Sequence, residues 1–288
     1  MKKLTALLLT AMMVFSLTAC GGKETAEDVS VETTATEETA QTSEETAEES
    51  SEETVDAEET NSEELPHYII AADITCAPFE FENDNGEMVG IDLDLIDAIA
   101  KDQGFTYEFE FVGFSAALTA LETGECDMVA AAVSITDDRC EKYDFSDPYY
   151  DSGVGLAVLA DSDIDSYEDL AGGQVGVKIG TESATFAESI ADQYGFTVAQ
   201  FEETSAMYQD VLAGTSVGCF DDYPVLSYEI AQRGVGFKLP LQMEKGSSYG
   251  FPTLKGENPE LVQMLNDGLA NIKASGEFDA IFAKYMGK

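Results

Sequence analysis

The chain holds two arginines and carries 57 acidic residues against 14 lysines and arginines. One arginine, Arg139, lies in the stretch SITDDRCEKYDFSDPYY, among Asp137, Asp138, Glu141 and Asp144. A guanidinium there either neutralises its neighbours on a solvated face or is kept for a carboxylate that arrives from outside. Just upstream, Ser134 and Thr136 offer hydroxyls and free N–H groups at a helix start, a favourable place for an anion. Four other stretches gather polar and aromatic groups: ADITCAPFEF with Asp73, Cys76, Phe79 and Phe81; VGFSAAL with Phe114; VKIGTES with Lys178, Thr181 and Glu182; and CFDDYP with Asp221 and Asp222. Taken singly, each has a plain structural use. Asp222 before Tyr-Pro and Thr181 before Glu-Ser are helix N-caps by type, and phenylalanines are usually core. No base–nucleophile pair is recognisable, so catalysis has little support. The only histidine is His67 and there is no C-x-x-C, so no metal or other cofactor is expected. Cys126 and Cys219 sit in apolar runs and read as buried thiols. Spacing leaves open whether Cys76, Cys126, Cys140 and Cys219 pair.

These residues fall where strands end and helices begin. HYIIAAD reads as a buried strand ending at Asp73. GIDLDLIDAIAKDQG is an amphipathic helix, with Ile91, Leu95 and Ile99 four apart and Gly104 closing it. FTYEFEFV alternates as a strand with one buried face, FSAALTALETGE reads as a short helix after a serine cap, and CDMVAAAVS is a continuous apolar strand. A second set follows: SYEDLAG with a capping-box pattern from Ser166 to Asp169, strand QVGVKIG, helix TESATFAESIADQYG, then SAMYQDVLAG, SVGCF and DYPVLSYEIAQRG as helix, strand and helix. YGFPTL and NPELVQMLNDGLANIKASG, with Pro259 in its first turn, lead to a last amphipathic run. Buried strands alternating with helices predict an α/β fold with parallel-rich sheets, and the repeated element order predicts two lobes. Ligands of such sheets sit beyond the carboxyl ends of the strands.

The start of the chain reads as an address. MKKLTALLLTAMMVFSLTAC has a basic n-region and an apolar stretch from Leu4 to Leu17, short of the roughly 17–25 residues that span a bilayer. Its ending resembles a bacterial lipobox with Cys20 as the lipidated residue, which anchors without spanning. Residues 21–65 are nearly pure Glu, Thr, Ala and Ser, a disordered acidic tether whose end-to-end distance, uncharged, would be roughly 35–40 Å. The net charge of −43 argues against nucleic acid or anionic lipid as ligands.

Taken together, APFEFENDNGEMVGIDLDLIDAIAKDQG, VGFSAALTALETGECDMVAAAVSITDDR, YDFSDPYYDSG, VGVKIGTES and DDYPVL resemble, in order, the motifs of family 3 extracytoplasmic solute-binding proteins, the polar amino-acid receptors of ABC importers. The resemblance covers residues 67–288. It implies a type II periplasmic-binding-protein-like clamp, with lobe 1 formed by residues 67–156 and 250–288 and lobe 2 by 157–249. It further implies a monomer outside the cytoplasm, tethered by lipid to a Gram-positive-like membrane and serving an ABC permease. By the same resemblance Arg139 holds an amino acid's α-carboxylate, helped by donors near Ser134 and Thr136. Asp222 takes the α-ammonium, and Thr181 starts the ligand-facing helix of lobe 2. Asp73, Phe79, Phe114 and Lys178 complete the expected contacts. The pattern departs at Cys76, where an aromatic residue is usual, at Ala132, where glycine is frequent, and at Glu182, where a small residue or threonine is frequent. Asp73, Asp221 and Glu182 would make the side-chain pocket negative, favouring a polar or cationic ligand (glutamine, arginine, lysine or histidine), unless Glu182 and Asp221 face solvent. The rival readings are a cyclohexadienyl dehydratase-like enzyme, with Glu182 as its acid, and a sensor for a membrane partner.

Overall fold

A computed structural model describes residues 65–287. The leader, Cys20 and the acidic tether to Glu64 lie outside the described residues. Two mixed sheets organise the rest. In the first, Thr106–Phe111, His67–Ala72 and Met128–Ala130 run parallel, followed antiparallel by Pro252–Leu254, which Tyr143–Phe145 pairs in turn. In the second, Thr197–Phe201, Gln174–Lys178 and Gly218–Asp222 run parallel, and the ten-residue strand Tyr150–Leu159 lies antiparallel beside Gly218–Asp222. Phe237–Lys238 and Glu244–Tyr249 close that sheet against the long strand. A third, small antiparallel sheet is formed by Thr75–Cys76, Glu80–Glu82 and Met88–Val89. The architecture is the two-lobed α/β arrangement expected.

The chain passes between lobes on two adjacent segments. Tyr249 pairs with Tyr150 in the second sheet, while Gly250 N–H donates to Val133 carbonyl (3.1 Å) and Ser146 N–H to Phe251 carbonyl (3.0 Å) in the first lobe. The first lobe's core is the apolar face foreseen in Ile91–Gln103: Leu95, Ile96 and Ile99 meet Leu261, Leu265 and Leu269 of Pro259–Ser275. The second lobe has two apolar layers, one around Leu156, Val177 and Phe220 and one around Met207, Val211 and Cys219.

Three local expectations change. The helix Phe114–Thr123 is preceded by Gly113 at its N-cap, with no side-chain cap; Ser115 lies inside its first turn. Thr106–Phe111 alternates but buries no residue fully, because it is the edge strand. The Ser166–Asp169 box forms, with Asp169 accepting from Ser166 N–H (3.0 Å), yet it opens only the 3-10 turn Glu168–Leu170. All four cysteines among the described residues are free, with Cys126 and Cys219 buried as expected. No helix among those residues is long and apolar enough to cross a membrane.

Candidate ligand-binding cleft

Strand ends from both lobes converge on a small polar cavity. Asp222 is its most informative lining residue. It stands at the N-cap position of Tyr223–Ala231, with Pro224 in the first turn, but its carboxylate does not cap the helix. Instead it accepts from Ser183 Oγ (2.9 Å) and from the Tyr249 hydroxyl (2.7 Å). Burial, reinforced by Asp221, pushes its carboxyl up to about 7 against those two hydrogen bonds. Asp221 is buried too, accepting from Tyr208 (2.8 Å) and from its neighbour's N–H, so it does not face solvent. Glu182 is half-buried and accepts from Ser247 Oγ (2.9 Å).

Arg139 approaches from the other lobe. Thr136 caps its short helix, accepting from Arg139 N–H, and this turns the guanidinium back toward the cleft. Nη1 donates to Ser134 carbonyl (2.8 Å), and Nη2 reaches across to Gly180 carbonyl (3.0 Å). The guanidinium carbon lies 5.5 Å from the Phe114 ring centroid, within cation–π range. Among the described residues it makes no ion pair, and Asp137 and Asp138 are exposed to solvent. Burial lowers its pKa, with Asp222 and Glu182 opposing, and an arginine in this range stays charged. Arg139 thus does not pair with its acidic neighbours in sequence: carbonyls and an aromatic face hold the guanidinium in place, with no carboxylate bonded to it among the described residues.

A second charged pair crosses the cleft. Lys178, at the end of Gln174–Lys178, bonds Asp73 at the end of His67–Ala72 and also donates to Thr75 Oγ1 (3.2 Å). Both side chains are almost fully buried. Against the downward pull of burial, the Asp73 carboxylate and its neighbours hold the Lys178 ammonium above its usual value. Thr204 N–H donates to Thr75 Oγ1 (3.3 Å), and Ser115 Oγ donates to Glu202 (2.8 Å). These cross-lobe bonds describe a closed clamp.

Of the residues expected at the site, Cys76, Phe114, Ala132, Ser134 and Thr181 also line the cavity, Thr181 with its hydroxyl engaged in capping Glu182–Tyr194. Phe79 does not line it. It is wholly buried beneath, edge-on to Tyr249 at 4.9 Å and to Tyr150 at 5.5 Å, so its role is to support the crossing strands. Ala132 occupies φ 46°, the left-handed region that explains why glycine suits this position. Its N–H donates to buried Asp92 (2.9 Å), which also accepts from Tyr149 (2.7 Å). Sequence reasoning missed Tyr249, Ser183, Thr75 and Asp92. Thr75, Ser183 and Asp92 lie inside stretches already singled out, but their partners come from other elements; Tyr249 is delivered by the chain crossing.

Two α/β lobes shut on a polar cavity with opposed charges define a small-molecule-binding clamp. Residues 68–288 match the model of bacterial extracellular solute-binding proteins, family 3, and the chain belongs to that family. A probable histidine-binding protein of Neisseria gonorrhoeae is 31% identical over 225 residues, covering 77% of this chain and 83% of that protein. The crystal structure of Lactococcus lactis GlnP substrate binding domain 2 in open conformation is 42% identical, covering 76% of this chain and 94% of that one, with a TM-score of 0.55. An ancestral arginine-binding protein bound to glutamine is 33% identical, covering 78% and 100%, with a TM-score of 0.71. The better superposition on the ligand-bound structure, despite lower identity, agrees with the closed lobes seen here.

Proposed function

We propose that this protein is the amino-acid receptor of an ABC importer, a monomer held outside the cell membrane by lipid on Cys20 and delivering its ligand to the permease. Residues 67–156 and 250–288 form one jaw and 157–249 the other. The observation that carries this reading is the unmatched charge on both sides of the cleft. Asp222 leaves its own helix uncapped to face the cavity, and Arg139 reaches across without a carboxylate partner. An amino acid's α-ammonium and α-carboxylate supply the two missing partners. The planar guanidinium matches the carboxylate through charge-assisted bonds that strengthen as water is excluded. Because the two grips belong to opposite lobes, binding favours the closed state.

The side-chain end of the cavity carries Asp73 and Lys178 together. A carboxamide satisfies both, its N–H₂ donating to Asp73 and its carbonyl accepting from Lys178. The ammonium of lysine or guanidinium of arginine would meet the Lys178 charge. Glutamine is therefore the favoured ligand among the polar and cationic candidates. Relatives named for histidine and arginine, and a related structure holding glutamine, support the amino-acid class. The dehydratase alternative gains little from its candidate acid, since Glu182 is hydrogen-bonded to Ser247.

The test is a thermal-shift and calorimetric panel of the common L-amino acids, prephenate and arogenate, on wild type and Arg139→Ala. A ligand at a thousand times its dissociation constant stabilises the fold by roughly 4 kcal/mol. Glutamine should give the largest shift, lost in Arg139→Ala. No shift with any amino acid, an unaltered shift in the variant, or turnover of prephenate or arogenate refutes the reading.

A further inference from the structure

With a single histidine and no thiolate pair, the sequence predicts no metal site, and the receptor function uses none. The fold nonetheless brings three donors of metal-binding type together. Donor atoms of Asp73, Cys76 and Glu80 lie within 4.8 Å of one another. The hairpin explains why: Cys76 and Glu80 are directly opposed across Thr75–Cys76 and Glu80–Glu82, so their side chains share a face, and Asp73 ends the strand leading into it.

Glu80 is the anomaly in this group. It is 0% exposed, and apart from the Cys76 thiol beside it neither carboxylate oxygen has a hydrogen-bond partner. Such a group costs stability unless something supplies charge or donors. Burial, with Asp92 and Asp73 adding, holds its carboxyl well above the usual range. The nearby cation, Lys178, is bonded to Asp73 and Thr75 and not to Glu80. Lys178 belongs to the opposite lobe, so opening the clamp would withdraw it and leave Asp73 and Cys76 lining the cleft without a cation, with Glu80 buried beside them.

We propose that Asp73, Cys76 and Glu80 bind a thiophilic divalent cation of the zinc class in the open clamp, and that the bound cation opposes closure. One sulfur and two carboxylate ligands suit zinc or cadmium rather than magnesium or calcium, which take oxygen ligands. In a tetrahedral shell at ordinary zinc distances the donors would sit roughly 3.3–3.6 Å apart, inside the 4.8 Å limit within which they lie here, with water in the fourth position. The metal–sulfur bond forms as the Cys76 thiol gives its proton to water, with no change of oxidation state. Burial and then the Glu80 charge keep that thiol protonated here; a divalent cation reverses the local field and stabilises the thiolate. The metal and the Lys178 ammonium would compete for Asp73, so occupancy opposes closure of the lobes. That competition rests on the clamp reading, whereas the metal site does not.

The full chain is titrated with Cd²⁺ while the ultraviolet thiolate-to-cadmium charge-transfer band is followed, and with Zn²⁺ by calorimetry. Wild type should show one equivalent of cadmium on thiolate. Cys76→Ser should lose the band, and Glu80→Gln, which keeps the thiol and removes a carboxyl ligand, should bind at least about tenfold more weakly, since loss even of an outer partner costs 10–100-fold. Melting curves of both variants establish that they are folded. No band in wild type, an unchanged band in Cys76→Ser, or full affinity in Glu80→Gln overturns the site. Saturating L-glutamine should suppress the band; its persistence, with glutamine shown bound by its own thermal shift, overturns the antagonism. Failure of glutamine to bind in the absence of metal would instead overturn the glutamine assignment, and failure of every amino acid the receptor reading.

Discussion

Replacing Lys178 by methionine tests the specificity argument at its centre. The side chain is 4% exposed and its Asp73 partner 1% exposed, on opposite lobes. Removing one member of a buried pair leaves the other charge uncompensated, at about 3–5 kcal/mol. Here that penalty falls on the closed state, because opening returns Asp73 to water. A glutamine ligand also loses its carbonyl donor. A hydrogen bond to a charged group contributes about 1.5–3 kcal/mol, so this loss alone lowers glutamine affinity about 10- to 150-fold, and the penalty on the closed state lowers it further. Arginine and lysine should respond the other way, since the repelling ammonium is gone and Asp73 needs a cation. Calorimetry with glutamine, arginine and lysine on both proteins measures the ratio directly. The preference should move from glutamine toward the cationic ligands. Glutamine affinity within threefold of wild type, or no relative gain for arginine and lysine, would refute the carboxamide assignment even if the clamp itself stands.

Other consequences can be measured separately. Asp222 titrates at about 7 in the closed, unliganded chain and near 3.9 when unfolded. The folded state therefore holds an extra proton between those values, and the Asp222 contribution to stability falls as pH rises through that window. Melting curves of Asp222→Asn should gain on wild type from pH 4 to 7, and parallel curves would count against this environment; the variant should also lose amino-acid binding. At Ala132, φ 46° carries a left-handed strain of about 1–2 kcal/mol, partly offset by the chain entropy of glycine, so Ala132→Gly should stabilise by about 0.5–1 kcal/mol in urea unfolding. Gly90→Ala should do the opposite. An added Cβ would lie 1.9 Å from the Phe79 carbonyl oxygen, and a loss of at least about 3 kcal/mol is expected, read as a lower urea midpoint.

Much of this molecule was legible before its structure. Helix boundaries at Gly104, Thr181 and Gly276 follow from backbone freedom and capping chemistry that act within a few residues. Alternating buried strands and helices were enough for the α/β class, and the motifs around Asp73, Arg139 and Asp222 were enough for the family. Local pattern also misled: Ser115 looked like a cap. Phe79, core by residue type, was set at the ligand only by the family resemblance.

What only the tertiary structure decided is which charges meet. Whether Arg139 pairs with Asp137 or stays open to the cleft depends on a contact with Gly180, across the lobes. Whether Asp222 caps a helix or faces a ligand depends on Tyr249, delivered by the chain crossing. Lys178 and Asp73 are 105 residues apart, and their union turned a pocket expected to be negative into one holding both signs. Sequence periodicity reports burial along one element, whereas electrostatic complementarity is set by distances between elements. Those distances exist only once both lobes have folded and shut.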